Sequence, residues 1–290
     1  MIIPDGMLGY IPFEALPAEP KGSTDPANWP LLIRSTDIYY SYSLQTAQQL
    51  ATVARSNRSF VGFFISFDSS AHTALPAVKK EYDAIHDAMP GDYFMDKKAT
   101  LSAFNNVLEN TNLLHISTHS YLQGKDSLPV LELSDSSFFL FELYGRSFRP
   151  QLVVLSACRT GHGILAEGEG IISLARGFTA TGAEGIVAGL WNMNDETVAQ
   201  LTGRFYRKIS SGAAPANALH DAKLQWLDDR SVASSLKLPY FWAGMVYSGD
   251  NRFLELNRKK SRTPYGWILA ALGAALIIFF AGRKWAANRN

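Results

Sequence analysis

The sequence predicts an α/β fold built on a mostly parallel central sheet, and three observations carry that expectation. Short runs of branched apolar residues, Leu113-Leu114-His115-Ile116 and Leu152-Val153-Val154-Leu155, pass directly into polar residues. Such runs read as strands buried on both faces. Segments with apolar residues at helical spacing alternate with them, as in a sheet covered by helices. The composition is that of an ordinary folded domain: 47% hydrophobic, 18% charged and a formal net charge of +1. That balance excludes a disordered chain and offers no polyanion-binding surface, so no nucleic-acid partner is expected.

Each element follows in order. Ser59 to Phe67 reads as the first strand, and Leu75 to Met89 as an amphipathic helix with Val78, Tyr82 and Ile85 on one face. Tyr93 to Met95 is a short strand, and Thr100 to Leu108 a helix with Leu101, Phe104 and Leu108 inward. The strands around His115 and Val154 come next. Ile171, Leu174, Ala175 and Phe178 then repeat at helical spacing, and Gly185 to Trp191 is another strand. Val198, Leu201, Phe205 and Ile209 mark the next helix, and Pro215 opens one reaching about Asp228. Lys21 to Pro30 is a polar, proline-bearing surface loop.

Two strand ends carry the chemistry. Cys158 is the only cysteine, placed where the Leu152–Leu155 run leads out into Arg159-Thr160-Gly161-His162-Gly163. In open α/β sheets, ligands sit beyond the carboxyl ends of the strands. His119 stands at the exit of its own strand, and neighbouring parallel strands would bring imidazole and thiol to one edge. A Cys/His pair distant in sequence and adjacent in space is the pattern of a thiol nucleophile. A free cysteine is also a common core residue, so the thiol alone leaves a structural role open. His115, deeper in the strand and on the same face as Ser117, reads as a hydrogen-bonded core residue, and His162 as a loop residue. Glu167 and Glu169 precede a helical pattern and suit its positive end. Asp195 opens a helix, where N-capping is its default role. The six histidines show no metal-ligand spacing such as His-Glu-x-x-His, and a lone cysteine forms neither a disulfide framework nor a thiolate zinc cage. No metal or cofactor is implied.

The far end of the chain differs in kind. Residues 265–282 are uncharged, with Arg258, Lys259, Lys260 and Arg262 before them and Arg283 and Lys284 after. About eighteen residues at helical rise span roughly 27 Å, and Tyr265, Trp267 and Trp285 suit the two interfaces. This predicts one C-terminal transmembrane helix, joined by a basic linker at 251–264 and followed by a short basic tail at 283–290. Pro4, Asp5, Pro12, Glu14, Pro17, Glu19 and Pro20 are incompatible with a secretory signal. The expectation is a membrane protein with a lipid-bilayer partner and a cytoplasmic folded domain.

The ordered set of motifs resembles the CHAT domain, the caspase-like module often found after tetratricopeptide repeats. The matching segments are IIPDGMLGYIPFEAL, DIYYSYSL, LPAVKKEYDAI, KKATLSAF leading to LLHISTHS, LVVLSACRTGHG, EGEGIISLARGFTATGAEGIVAGLWNMNDETV and LPYFWAGMVYSGD. They span residues 1–250. The resemblance implies a caspase-like three-layer sandwich and a cysteine endopeptidase acting on a protein or peptide, with His119 and Cys158 as catalytic dyad. Backbone N–H groups of Ser120 and Cys158 would form the oxyanion hole. Separase-type relatives carry an acid after a similar Trp-containing strand, which gives Asp195 a substrate-binding role toward a basic side chain. Arg159 and Arg176 would instead suit an acidic one. Ser120 stands where many members have glycine, which leaves a catalytically silent scaffold as the alternative. The abrupt start at Met1 carries the expectation of an N-terminal region missing or encoded separately, with an activator or tetratricopeptide-repeat partner.

Overall fold

The computed structural model describes residues 1–19, 23–43, 60–67, 74–123, 128–146, 148–156, 164–166, 170–172, 174–254 and 256. At its centre is a six-stranded sheet of β1 (Val61–Phe64), β2 (Asp92–Met95), β3 (Leu113–Ser117), β7 (Leu152–Leu155), β10 (Gly185–Gly189) and β11 (Met245–Gly249). Their order is β11-β10-β7-β3-β1-β2. All pairings are parallel except β10 with β11, so the mostly parallel sheet is as expected, with one antiparallel edge.

Side chains alternate across the sheet and bury both faces. Phe64, Leu113, Val154 and Val187 pack beneath α1 (Ala77–His86), α4 (Asp195–Ser211) and α5 (Pro215–Asp228). Phe63, Leu114, Ile116, Val153 and Ile186 face α2 (Leu101–Leu108) and α3 (Leu174–Ala180) on the other side. Three layers result. Thr100 caps α2 by accepting from the Ala103 N–H at 3.1 Å, one residue before the helix rather than as its first residue.

Two elements depart from the alternation of strands and helices that the sequence suggests. The chain between β3 and β7 forms a separate antiparallel sheet, β4 (Ser120–Gln123), β5 (Leu128–Glu132) and β6 (Ser137–Phe139), in place of a crossover helix. Pro129 lies within β5, and a proline in a short run reads as a breaker. Ile171 belongs to β9 (Gly170–Ile172), which pairs with β8 (Ile164–Ala166), so α3 starts only at Leu174. Glu167 and Glu169 lie outside the described residues. Helix α6 (Pro239–Trp242) is a single turn before β11.

The N-terminal segment seals the β11 edge. Tyr40 bridges to Ser248 and Ile2 bridges to Tyr40, through Tyr40 N–H to Tyr247 O and Gly249 N–H to Tyr40 O at 2.9 and 2.8 Å. No helix among the described residues is long and apolar enough to cross a membrane. The predicted span 265–282 lies outside them.

Candidate functional site

Parallel strands bring their carboxyl ends to one sheet edge, and β3 and β7 are direct neighbours in the middle of it. Ile116 is in register with Leu155, and the Ser156 N–H donates to Ile116 O at 2.9 Å. His119 follows two residues after β3 ends. It is half-buried, its ring centroid 4.9 Å from that of Phe67, three residues past β1. Its carbonyl accepts from the Glu132 N–H at 3.0 Å, which ties it to the β4–β6 sheet. Phe67 holds a left-handed backbone conformation, φ 56°, a strained state for a bulky residue that concentrates at functional sites. Cys158, Arg159 and His162 lie outside the described residues.

A small open cavity of about 40 Å³ lies at this edge. Glu81, Ser117, Thr118, Ser156 and Asp195 supply its polar side, and Leu75, Val78, Trp191 and Met193 an apolar wall. The Trp191 indole is fixed by donating Nε1–H to Tyr240 O at 2.9 Å. Gly244 permits that placement, since a Cβ there would fall 2.7 Å from the Trp191 ring.

Asp195 is not a cap. Asn194 is, its Oδ1 accepting from the Thr197 N–H at 3.0 Å, and Asp195 is the first helical residue of α4. Adjacent asparagine and aspartate both suit the capping position, so the spacing alone did not separate them. The Asp195 carboxyl instead faces the cavity. Burial raises its pKa, and the charge of nearby His119 pulls it back down.

His115 is the core histidine the sequence suggests: fully buried, stacked on Phe64, with Nδ1 3.2 Å from Tyr206 Oη. Burial lowers its pKa to about 3 and keeps it neutral. Its companion, Glu81 of α1, was missed. Glu81 is 3% exposed and accepts from Ser117 Oγ at 2.6 Å. Burial raises its carboxyl to about 7, against the pull of the Ser117, Ser156 and Thr202 hydroxyls. A usable signal existed: Glu81 sits on the face defined by Val78, Tyr82 and Ile85, three residues after Val78, where a charge is out of place.

These two shifts oppose one another in the pH dependence of stability. Folded His115 rejects a proton that the unfolded chain binds between pH 3 and 6.5, so its contribution rises with pH across that window. Folded Glu81 holds a proton that the unfolded chain releases between pH 4.5 and 7, so its contribution falls there. From pH 4.5 to 6.5 they offset one another. Urea titrations of E81Q are therefore expected to show stability still rising through pH 6.5 where the wild type levels off. Matching pH profiles for the two proteins would refute the assignment.

A model of the CHAT domain matches residues 1–250. The Arg-specific cysteine proteinase gingipain R has a similar structure, with a TM-score of 0.51 and 10% identity over 80% of this chain and 57% of its own. The Saccharomyces cerevisiae separase–securin complex gives a TM-score of 0.55 and 12% identity, over 84% of this chain and 15% of the matched one. This chain thus spans little more than half of the gingipain chain and a small part of the separase one. At these identities the likeness establishes the shared α/β fold. A search of curated protein sequences finds no match. With all the described secondary structure falling inside the matched range, the chain belongs to the CHAT domain family.

Proposed function

We propose that this chain is a membrane-tethered cysteine endopeptidase that cleaves a protein substrate through His119 and Cys158. The adjacency of β3 and β7 carries the reading, because both dyad positions follow, in the chain, strands that end at one edge beside an open cavity. The cysteine peptidase fold supports it.

In this reading the Cys158 thiolate attacks the scissile carbonyl carbon, and His119 delivers a proton to the departing amine. A water then hydrolyses the thioacyl intermediate, giving its proton to His119 and returning Cys158 as leaving thiolate. The orientation of the 119–120 peptide supports the Ser120 N–H as an oxyanion donor. Its carbonyl points at the Glu132 N–H, so in a planar trans peptide the N–H points the opposite way, away from β5. Such a donor, or one at Cys158, is worth about 3 kcal/mol of barrier. Asp195 beside the Trp191 wall suits a basic side chain before the scissile bond. No cofactor takes part, and residues 265–282 hold the enzyme at a bilayer with the folded domain on the cytoplasmic side. An activator or tetratricopeptide-repeat partner would act through the same domain.

The test is labelling of the full chain with a library of acyloxymethyl ketone peptides, beside D195N. The expected result is preference for a basic side chain, with at least a tenfold loss of that preference in D195N. An unchanged preference removes Asp195 from the pocket, and flotation with lipid vesicles checks the anchor. The second reading, a silent scaffold, draws on Ser120 in place of glycine. It prevails if no probe labels the folded chain, with or without candidate activators.

A further inference from the structure

We propose that Glu81 is a positioning residue for the dyad, its carboxyl seated at the ends of the two strands that lead to His119 and Cys158. The inference rests on the dyad reading above. Ser117 and Ser156 each stand two residues before a dyad member in the chain. The Ser117 hydroxyl donates to Glu81 Oε2 at 2.6 Å, while Ser156, at the end of β7, lines the same cavity as Glu81 with its hydroxyl unpartnered among the described residues. One side chain from α1 therefore holds the end of β3 and stands beside the end of β7 and the start of the helix that carries Asp195.

Its protonation state decides how well this works. Three buried atoms at the junction, Glu81 Oε1, His115 Nε2 and Ser156 Oγ, have no hydrogen-bond partner among the described residues. Orphaned buried polar atoms are costly and call for an explanation. Oε1 and Nε2 lie 3.5 Å apart. With the His115 ring proton on Nδ1, facing Tyr206, Nε2 is an acceptor, and a protonated Oε1 supplies the matching donor.

The groups facing the carboxyl are His115 and Ser117 of β3, Ser156 after β7, and Asp195, Thr202 and Tyr206 of α4. None is a cation at neutral pH. Burial, the largest effect, and the repelling charge of Asp195 favour the neutral form, against the pull of the three hydroxyls. Lys80, the neighbour on α1, turns outward to Glu196 at 2.6 Å. Ionisation would leave a buried anion, remove the donor facing His115 Nε2 and draw the unpartnered Ser156 hydroxyl toward the carboxylate, disturbing both strand ends together. Glu81 thus sets an upper pH limit on dyad alignment, in the range where its burial places the carboxyl's titration.

The experiment follows inactivation of the full chain by a basic acyloxymethyl ketone peptide from pH 5 to 9, for wild type, E81Q and E81A. The expected wild-type profile has a descending limb near pH 7 that E81Q lacks. E81A is expected to lose at least tenfold in the limiting inactivation rate with the inhibitor's KI unchanged, and E81Q to recover most of that loss. The same descending limb in E81Q, or a wild-type rate in E81A, overturns the proposal. If the wild type itself is not labelled, the peptidase reading fails, and amide exchange then decides the brace. Faster exchange in E81A confined to residues 115–120 and 153–158 upholds it, and exchange unchanged or raised throughout the fold overturns it.

Discussion

Replacing Cys158 with alanine is expected to abolish covalent labelling outright, and His119→Ala to slow it by a factor of about 10²–10⁴. The first removes the only nucleophile of its kind in the chain. The second removes the group that raises the thiolate fraction and protonates the leaving group, and positioned acid–base groups contribute about that factor. Both variants should fold. His119 is half-buried at the rim, against Phe67 from the segment after β1, so His119→Ala opens no core cavity. Near-ultraviolet circular dichroism and a cooperative urea transition verify this before rates are compared. Labelling that survives in Cys158→Ala would place the reactive group elsewhere, and an unaffected His119→Ala would dissolve the dyad.

The largest stability effect is expected at a different place, the ion pair between Glu14 and Lys223. Glu14 lies in a short turn near the N-terminus and Lys223 on α5, with Nζ 2.6 Å from Oε1 and both side chains almost wholly buried. Tyr40 Oη donates to the other carboxylate oxygen, and Lys223 Nζ sits 5.8 Å from the centre of the Trp242 ring. Removing one partner strands the other charge in the core, which costs about 3–5 kcal/mol. Lys223→Met should lose that much in urea denaturation, and Glu14→Leu a comparable amount. The double replacement should cost less than either single change, because no charge is left stranded. A loss below about 1 kcal/mol in both single variants, the range of an exposed pair, would contradict the buried pairing.

How much of this was legible in the sequence depends on the kind of signal. The core strands announced themselves, because residues such as Val153 and Val154 are buried on opposite faces and both must be apolar. The α4 and α5 helices kept their apolar period and came through close to their bounds. The β4–β6 sheet did not, since its strands are short and its central member contains Pro129. At the site, the neighbouring strand ends and His119 were legible, and Cys158 remains a sequence assignment. The local reading of Asp195 as a cap fails because Asn194 is the cap, and its place in the site was suggested by the family resemblance alone. Glu81 was hidden because local spacing shows that a charge faces inward without showing what receives it. The groups facing it come from β3, the end of β7 and α4, elements 36 to 121 positions further along the chain.

The two ends of the central sheet bear on self-association. An open sheet is a template on which another chain can add a strand, and proteins guard such borders. Here one border is occupied from within: Tyr40 takes the hydrogen bonds of Tyr247 and Gly249 that an intruding strand would otherwise claim. The other ends on β2, only four residues long, opened by exposed Asp92 and followed by Asp96 in a left-handed turn and by Lys97 and Lys98. Length, charge and a sharp change of direction make it a poor platform for growth. The folded domain is thereby guarded, at both borders, against polymerising through its own sheet.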